Sequence, residues 1–513
     1  MPRAASALST RARTAAPAVI LGLLATALSV TGSWIPSLWG DEAASVLSAS
    51  RSVPSLLSMI QHVDAVHATY YLGLHGWVQL FGPSPFSVRF PSAIAVGLCV
   101  AGVVLLGARL RSMTFGVVAG AICAVLPRIT YVGEEARSYA FTAAIATWLT
   151  LVFVLIVRSG SRRRLWVVYA VLLTLGTYLF LYLALVAVSH LVVLLLLPRG
   201  RRRALIVPWV VASGAAVLAT APVIVLAAFE RGQIAYLSNE EQVTPTSTLV
   251  SMWFGSTGFA VVGWTLLAAG IAAMMLDWRA RRDPLVPGDA TPPVATVVAA
   301  WMLVPSVLLI GTSPVLEGFT ARYLAMCAPA VALLMAAGLL WLVELLRLRR
   351  PAVVALITGV GVIAVAAVAA PVWAEQRGPY AKNDSDWVQI SSTVGALARP
   401  GDAIAFDDGV RPSRRPRLAL HLYPKGFTGL RDVTLTVPYY RSDTWYDRTQ
   451  SLAAAAAAGR LDGVQRVWLV EYAIGSHVDH YGESTLTSLG FTPVHTTRTH
   501  RAAIIEYTRA PSP

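Results

Sequence analysis

The sequence is poor in charged residues and in cysteine. Asp, Glu, Lys and Arg make up only 13% of its 513 residues, whereas 56% are apolar and the mean hydropathy is +0.62. This composition lies outside the range of soluble globular domains and predicts an integral membrane protein. Cys99, Cys123 and Cys327 all fall inside apolar runs, so we expect packing roles for them and neither disulfides nor metal ligation.

Acidic residues are scarcer than basic ones, 27 against 41, which gives a net charge of +14. In a soluble protein this excess would favour a nucleic-acid partner. Here the basic runs SGSRRR and PRGRRR lie beside apolar segments, where they can bind anionic lipid headgroups. No nucleic-acid-binding motif accompanies them, so we expect a membrane-lipid partner and no nucleic acid.

Eleven apolar runs approach or exceed the roughly 20 residues that cross a hydrocarbon core. They lie at 15–33, 87–108, 114–132, 139–157, 165–180, 182–198, 205–227, 250–276, 294–312, 323–345 and 352–371. The first run is followed by further spans and lacks a small-residue cleavage site, so we interpret it as a retained helix and not as a signal peptide. The sequence therefore predicts a polytopic α-helical membrane protein.

The arginines predict the orientation of these spans. Before residue 372, nineteen arginines fall in one set of alternate segments and six in the other. Because basic residues accumulate on the cytoplasmic side, the N-terminus is predicted to be cytoplasmic in the plasma membrane. An odd number of spans then places residues 372–513 outside the cell membrane. We expect a transmembrane catalytic domain at 1–371, with a large first outer loop at 34–85, and an extracytoplasmic domain at 372–513.

The tail has the patterns of a small α/β domain. PGDAIAFDDG and QRVWLVEYA predict strands, SLAAAAAAGRL predicts a helix, and TSLGFTPVHTTRTHRAAIIEYTR predicts a helix end followed by two strands. Its histidines are scattered among polar residues, as on a solvated surface. HVDH at 477–480 is their only tight cluster, and it is a weak indication of a metal site.

The outer side carries an acidic pair, Asp41 and Glu42, in the segment SWIPSLWGDEAASVLSAS. Acidic residues suit the first turn of a helix electrostatically, so one interpretation is the start of an interfacial helix. The other is a reactive carboxylate, because an acidic pair beside a bilayer attracts a proton or a cation. Both interpretations remain open at this point.

Other outer segments add charge and aromatic residues at membrane entrances. Glu134, Glu135 and Arg137 lie in YVGEEARSYAF, and Arg322 with Tyr323 lies in LEGFTARYLAM. Charges there are costly unless they pair or function, and a guanidinium matches phosphate oxygens. A salt bridge within the first cluster is the alternative to phosphate binding.

Residues 70–81 have helical spacing of apolar residues and predict a helix on the outer leaflet or over the bundle. The polar stretch 229–248 is interpreted as a possible substrate-covering loop.

The order of four motifs resembles the GT-C membrane glycosyltransferases, in particular the group that includes protein O-mannosyltransferases and lipid A aminoarabinose transferases. The motifs are WGDE, VHATYYLGLHGWVQLFGPSPFSVRFPSA, GEEARSYAF and FTARYLAMCAPAVALL, between residues 39 and 334. Each is short, and their order carries the resemblance. It implies an inverting transfer of a sugar from a polyprenyl-phosphate donor to a glycan, glycolipid or protein acceptor of the cell envelope.

The resemblance also implies roles for individual residues. Asp41 corresponds to the catalytic aspartate and Glu42 to its acidic neighbour. The donor-site positions are Arg137, Arg322, Glu135, Tyr139, His67, Tyr70 and Tyr71. Many relatives have a proline pair before the two tyrosines, whereas this chain has Val-His-Ala-Thr, so His67 is aligned less securely. Some relatives bind a divalent cation near this stretch, which leaves a metal possible here and no cofactor certain.

Two questions of function stay open in the sequence. Mannose is the leading donor sugar, and arabinose or another pentose is the alternative. A transporter or flippase of a polyprenyl-linked substrate is a second class, although ionisable residues would then be expected near mid-membrane together with internal repeats. A receptor or scaffold is a third class, in which the acidic pair would be dispensable.

Overall fold

The structure, a computed structural model, describes residues 2–159, 162–230, 232, 243–280, 293–316 and 319–509. The chain forms two compact units. The first contains Met1–Thr31, Ala65–Thr69 and Arg89–Ala374, and the second contains Gly32–Asp64, Tyr70–Val88 and Glu375–Pro513. Most of residues 34–85, the predicted first outer loop, thus belongs to the same unit as the tail. The predicted domain boundary at residue 371 stays a prediction.

The described part of the chain up to residue 375 is mainly helical. Its α-helices are α1 Pro2–Val30, α2 Gly40–Ala49, α3 Val53–Met59, α4 Ala68–Phe81, α5 Pro85–Leu110, α6 Met113–Val125, α7 Pro127–Gly133, α8 Tyr139–Ser159, α9 Arg163–Leu179, α10 Ala184–Leu196, α11 Arg199–Phe229, α12 Thr257–Ala280, α13 Val294–Leu316, α14 Ala328–Leu345 and α15 Pro351–Glu375. A helix bonds its own N–H and C=O groups, which an apolar environment requires.

The chain is a multi-pass membrane protein. Within the described residues, seven helical segments are long and apolar enough to cross a bilayer, and α6 with α7 makes an eighth if this bent pair counts as one span. All eleven predicted runs overlap helices. The count of eleven spans stays a prediction, because several of these helices are short.

A proline breaks the span formed by α6 and α7. Pro127 is the first residue of α7, Leu126 before it has an extended backbone, and the two helix axes differ by 61°. Proline disfavours a helical conformation in the residue that precedes it, so one helix ends here and a new one begins. Residues 134–138, with the sequence EEARS, connect α7 to α8.

Glycines allow α12 and α14 of the first unit to approach each other closely. A Cβ atom on Gly338 would lie 2.0 Å from the carbonyl oxygen of Leu266, and one on Gly270 would lie 2.3 Å from that of Leu334. Small residues at such crossings are typical of membrane helix packing, where van der Waals contacts between helices drive association because lipid tails are as apolar as the side chains.

Cys99, Cys123 and Cys327 are free thiols buried in the core of this unit, which confirms their predicted packing role.

The tail forms a mixed sheet with helices. Its strands are β1 Ala403–Phe406, β2 Arg431–Asp432, β3 Leu435–Val437, β4 Arg448–Thr449, β5 Arg466–Ile474, β6 His477–Val478, β7 Thr492–Arg498 and β8 Ala502–Thr508, and its α-helices are α16 Trp387–Leu397, α17 Leu418–Leu422, α18 Leu452–Ala457 and α19 Glu483–Ser488. The strand order is β2-β1-β5-β8-β7, with β6 paired to β5, and β3 pairs with β4 separately.

The centre of the sheet confirms the predicted tail. β5 pairs in parallel with β1 and antiparallel with β8, and all but its two end residues are buried, as expected for a strand covered on both faces. Leu452 of α18 and Leu486 of α19 pack into the core cluster that covers one face. The predicted strands at β1, β5, β7 and β8 and the predicted alanine helix are all present.

Two buried carboxyl groups lie near the carboxyl ends of the parallel strands β1 and β5. Asp407 accepts hydrogen bonds from the backbone N–H groups of Gly409 at 2.7 Å and Tyr472 at 3.2 Å. Glu471 accepts from those of Tyr481 at 3.1 Å and Gly482 at 3.0 Å. Burial, with a smaller contribution from the charge of the neighbouring Asp479, raises the pKa of Asp407 to about 6 and that of Glu471 to about 7.

These carboxyl groups make the stability of the protein depend on pH. A carboxyl whose pKa is raised by folding binds its proton more tightly in the folded state, so its contribution is present at low pH and disappears as the pH rises through the folded pKa. We expect the thermal midpoint of the purified protein in detergent to fall between about pH 4, where these carboxyls ionise in the unfolded chain, and about pH 7, where they ionise in the folded protein.

Asp479→Asn tests this dependence. The amide can donate a hydrogen bond to the Asp407 carboxylate at every pH and removes a negative charge, so the slope of midpoint against pH should flatten. Asp462→Asn changes an exposed acid of the same domain and should keep the wild-type slope. Equal slopes in Asp479→Asn and wild type would contradict the assignment.

Candidate functional site

The acidic pair begins helix α2 in the second unit. Asp41 and Glu42 lie in its first turn, where the partial positive charge of the helix N-terminus favours a carboxylate. Asp41 is half-buried, whereas Glu42 is fully buried. The Ser45 hydroxyl donates to the Asp41 carbonyl oxygen at 3.1 Å. The pair is thus a helix start, and Asp41 is its more accessible carboxylate.

In the first unit, His67 contacts Arg137. The Nη2 atom of Arg137 lies 2.8 Å from Nε2 of His67. An arginine can only donate, so Nε2 accepts and the imidazole carries its proton on Nδ1. Burial, together with the charges of Arg137 and Arg322, lowers the pKa of His67 well below its ordinary value. His67 is therefore neutral and serves as an acceptor that orients the guanidinium.

Arg322 belongs to the same electrostatic neighbourhood. It lies in a 3₁₀ turn, Ala321–Cys327, that leads into α14, and its charge acts on His67. Arg137 donates to the neutral His67, and the positive charge of Arg322 acts on the same histidine. Guanidinium groups in such an arrangement suit an oxyanion such as a phosphate.

The Glu135 carbonyl oxygen accepts two hydrogen bonds that stabilise the turn before α8. The Ser92 hydroxyl donates to the Glu135 carbonyl oxygen at 2.6 Å, and the Arg137 N–H donates to the same oxygen at 2.9 Å. Glu134 and Glu135 are fully buried and Arg137 is 6% exposed. Three enclosed charged residues within four positions are costly unless their charges are compensated.

Arg128 was not among the candidate residues, yet it lies in this neighbourhood. Its Nε donates to the Met252 carbonyl oxygen at 2.7 Å, its Nη2 donates to that of Ser251, and its backbone N–H donates to that of Trp253 at 3.1 Å. Through these bonds, Arg128 connects α7 to the segment before α12. Its charge interacts with Glu135 and Arg322. The signal in the sequence was its place in LPRITYVGEEAR, just before the recognised motif.

An aromatic cluster accompanies Arg322. The ring centroid of Tyr323 lies 6.1 Å from that of Tyr139, 5.2 Å from that of Phe180 and 5.6 Å from that of Tyr182. Phe180 and Tyr182 lie in the short break between α9 and α10 and were not predicted as site residues. The only feature of the sequence that marked these two residues was the short interruption between the apolar runs 165–180 and 182–198. The prediction that Glu135 and Tyr139 orient Arg137 stays a prediction.

The two predicted tyrosines lie on α4 in the second unit. Tyr71 is fully buried and its hydroxyl donates to Asp64 Oδ2 at 3.0 Å, while Tyr70 is 5% exposed. The predicted helix at 70–81 is therefore confirmed. Its residues Leu74 and Val78 are buried, whereas Phe81 is 58% exposed. The position of this helix on the outer leaflet stays a prediction.

The predicted site residues thus fall into two groups. Asp41, Glu42, Tyr70 and Tyr71 lie in the second unit, and His67, Glu135, Arg137, Tyr139 and Arg322 lie in the first. Most of the predicted covering loop, at 231 and 233–242, lies outside the described residues, as does Glu317. Among the residues that the structure describes, no group of three or more His, Cys, Asp and Glu side chains could hold a metal ion.

Comparison with known proteins points to one fold. ArnT from Cupriavidus metallidurans, solved bound to undecaprenyl phosphate, superposes with a TM-score of 0.54 and 13% identity over 96% of this chain and 99% of that chain. This chain has the GT-C fold. The mycobacterial arabinofuranosyltransferase AftD superposes with a TM-score of 0.50 and 16% identity over 98% of this chain and 40% of that chain.

Further comparisons agree with this GT-C fold. Archaeoglobus fulgidus AglB, an oligosaccharyltransferase solved with an inhibitory peptide and a dolichol-phosphate, superposes with a TM-score of 0.50 and 12% identity over 88% of this chain and 69% of that chain. Residues 70–226 match the family model described as dolichyl-phosphate-mannose-protein mannosyltransferase. No curated protein sequence gives a significant match. The predicted fold class and the resemblance to GT-C proteins are confirmed.

The arginine pair yields a test of anion binding. Arg137→Lys keeps the charge but removes the forked donors, so we expect polyprenyl phosphate to bind roughly tenfold more weakly or worse, since a hydrogen bond to a charged group contributes about 1.5–3 kcal/mol. Binding is measured as the ligand-induced shift in thermal midpoint of the purified protein.

Arg164→Lys is the matched control, because Arg164 is an exposed arginine in α9 of the same unit. It should bind polyprenyl phosphate as wild type does. An unchanged shift in Arg137→Lys and in Arg322→Lys would remove both arginines from the phosphate assignment.

Proposed function

We propose that this protein is an inverting glycosyltransferase that moves a sugar from a polyprenyl-phosphate donor to a hydroxyl group of a cell-envelope acceptor. The observation that carries the proposal is the contact between Arg137 and the neutral His67, beside the charge of Arg322, in a chain with the GT-C fold. Fixed guanidinium donors are what a phosphate leaving group requires.

The donor phosphate is assigned to Arg137 and Arg322. When the bond between the anomeric carbon and the phosphate oxygen breaks, the electron pair stays on that oxygen and the polyprenyl phosphate leaves with an additional negative charge. Guanidinium groups stabilise this charge without donating a proton covalently. His67 accepts a hydrogen bond from Arg137 and so keeps its guanidinium in one orientation.

The general base is assigned to Asp41. The acceptor oxygen attacks the anomeric carbon from the side opposite the leaving phosphate, so the configuration inverts, and its proton passes to a carboxylate. Asp41 is the more exposed member of the acidic pair and lies at a helix N-terminus, whose partial positive charge favours a carboxylate, and a carboxylate can accept the proton. Glu42 is enclosed and is assigned a supporting electrostatic role.

The proposed substrates follow the related proteins. The family model names mannosyl transfer from dolichyl phosphate, and ArnT and AglB were solved with polyprenyl phosphates, which supports a lipid-linked donor. Mannose is therefore the leading sugar. Arabinose is the alternative, supported by the likeness to AftD. The proposed acceptor is an envelope glycan, glycolipid or protein.

The proposed location is the plasma membrane, with a cytoplasmic N-terminus and an extracytoplasmic tail. The distribution of arginines supports this orientation, with nineteen on the predicted inner segments and six on the outer ones before residue 372. On this topology the transfer takes place on the extracytoplasmic side, where the acidic pair is predicted to lie.

Asp41→Asn tests the reaction and the base together. The amide keeps the size of the side chain but cannot accept the acceptor proton, so we expect transfer from polyprenyl-phosphate mannose to fall about 10²- to 10⁴-fold. The measurement is radiolabel transfer by purified protein to an envelope-lipid extract. Asp462→Asn, an exposed acid in the same unit, is the control and should transfer as wild type does.

A panel of donors distinguishes the alternatives. Transfer only from polyprenyl-phosphate arabinose would replace mannose and leave the reaction class in place. Transfer by Asp41→Asn at the wild-type rate would remove Asp41 from the role of base. Absence of transfer from every donor, in protein that still binds polyprenyl phosphate, would favour a carrier of lipid-linked substrates over an enzyme.

A further inference from the structure

We propose that the C-terminal α/β domain positions α2, the helix that carries Asp41, and that Tyr423 is a positioning residue in this arrangement. The inference rests on the proposed function, because it assigns the tail a role in the same reaction. All the residues involved lie in the second unit, where the first outer loop and the tail pack together.

The first anchor lies just before α2, at Leu38. The backbone N–H of Leu38 donates to the Tyr423 hydroxyl oxygen at 2.8 Å, and the Ser385 hydroxyl donates to the Leu38 carbonyl oxygen at 2.6 Å. Leu38 is completely buried, so its peptide groups need partners inside the protein. Both partners come from the tail, more than 300 residues along the chain.

The anchor continues at Gly40, the first residue of α2. A Cβ atom on Gly40 would lie 2.6 Å from the Ser413 carbonyl oxygen, so the backbone here packs directly against the turn Pro412–Arg414. Leu38 and Gly40 are therefore both held by the tail within three residues of Asp41. The first turn of α2 has little freedom to shift while these contacts persist.

A second anchor holds the opposite end of α2. Arg51 is 1% exposed, and its Nη1 donates to the Ser442 carbonyl oxygen at 2.9 Å while its Nη2 donates to that of Thr444. Its guanidinium lies 5.7 Å from the centroid of the Tyr439 ring. The helix is thus fixed at both ends to the same domain.

Tyr423 is itself held in place. It ends α17, which packs against α2 and buries Leu418 and Leu422. Its carbonyl oxygen accepts a hydrogen bond of 2.6 Å from the Ser391 hydroxyl of α16. A continuous set of contacts therefore leads from α16 through Tyr423 to Leu38 and the helix that carries Asp41.

The chemical consequence concerns the placement of the base. A general base acts only within hydrogen-bond reach of the proton it removes, and small displacements lower the rate strongly. Tyr423 is not assigned a contact with donor or acceptor, so its loss should lower kcat. The KM for the donor should be unchanged, because the arginines assigned to the phosphate are untouched.

Tyr423→Phe tests the inference, because it removes only the hydroxyl that accepts the Leu38 N–H. Hydrogen–deuterium exchange of the full-length protein should become faster in the peptide spanning residues 34–50. We expect kcat to fall about fivefold, the effect of losing one hydrogen bond of about 1 kcal/mol, at an unchanged donor KM. Tyr446→Phe removes a tyrosine hydroxyl elsewhere in the tail and should match wild type in both measurements.

The outcomes separate this inference from the proposed function. Unchanged exchange at 34–50 in Tyr423→Phe would overturn the anchor. Faster exchange with an unchanged kcat would overturn the positioning role. If wild type transfers no sugar, the proposed function fails and the catalytic role of the anchor fails with it, whereas the exchange result still decides whether the tail holds α2. A donor-induced thermal shift equal to that of wild type shows that Tyr423→Phe is folded.

Discussion

The need to give every buried polar group an internal partner governs this structure. In a chain that is 56% apolar, water is excluded from much of the backbone and from several charges. The backbone of the first unit therefore forms helices, and two of its arginines bond to carbonyl groups or to a histidine. Arg128 bonds to three successive residues before α12, and Arg137 bonds to His67. These bonds fix donors in positions that solvated side chains would not keep.

The same constraint operates in the second unit with a different result. The buried N–H and C=O groups of Leu38 bond to Tyr423 and Ser385, and these bonds join the segment before α2 to the tail. Arg51 does the same at the other end of α2. The hydrogen bonds that buried backbone groups need therefore fix the position of α2 and, with it, of the Asp41 carboxylate. Folding is connected in this way to the chemistry proposed for Asp41.

The two groups of residues divide the proposed chemistry. The first unit offers positive charge held beside a neutral histidine, which suits a departing phosphate. The second offers a half-buried carboxylate at a helix N-terminus, which suits a proton acceptor. Neither group needs an enzyme-derived nucleophile, which agrees with a single displacement and inversion at the sugar carbon.

The sequence by itself determined the fold class, the positions of the helices, the packing role of the cysteines and the main strands of the tail. These properties depend on composition and on local periodicity, which a single chain displays directly. Four ordered motifs were also sufficient to predict the GT-C resemblance. Asp41 and Arg137 could be chosen as candidates because charges beside apolar runs are rare and conspicuous.

Only the tertiary structure decided which of these residues meet. The contact between His67 and Arg137 joins positions 70 residues apart, and Tyr423 contacts Leu38 across 385 residues. Phe180 and Tyr182 join the aromatic cluster only because α9 and α10 bring their connecting turn to Tyr323. Such contacts arise from the packing of whole helices and strands, so local sequence patterns do not predict them.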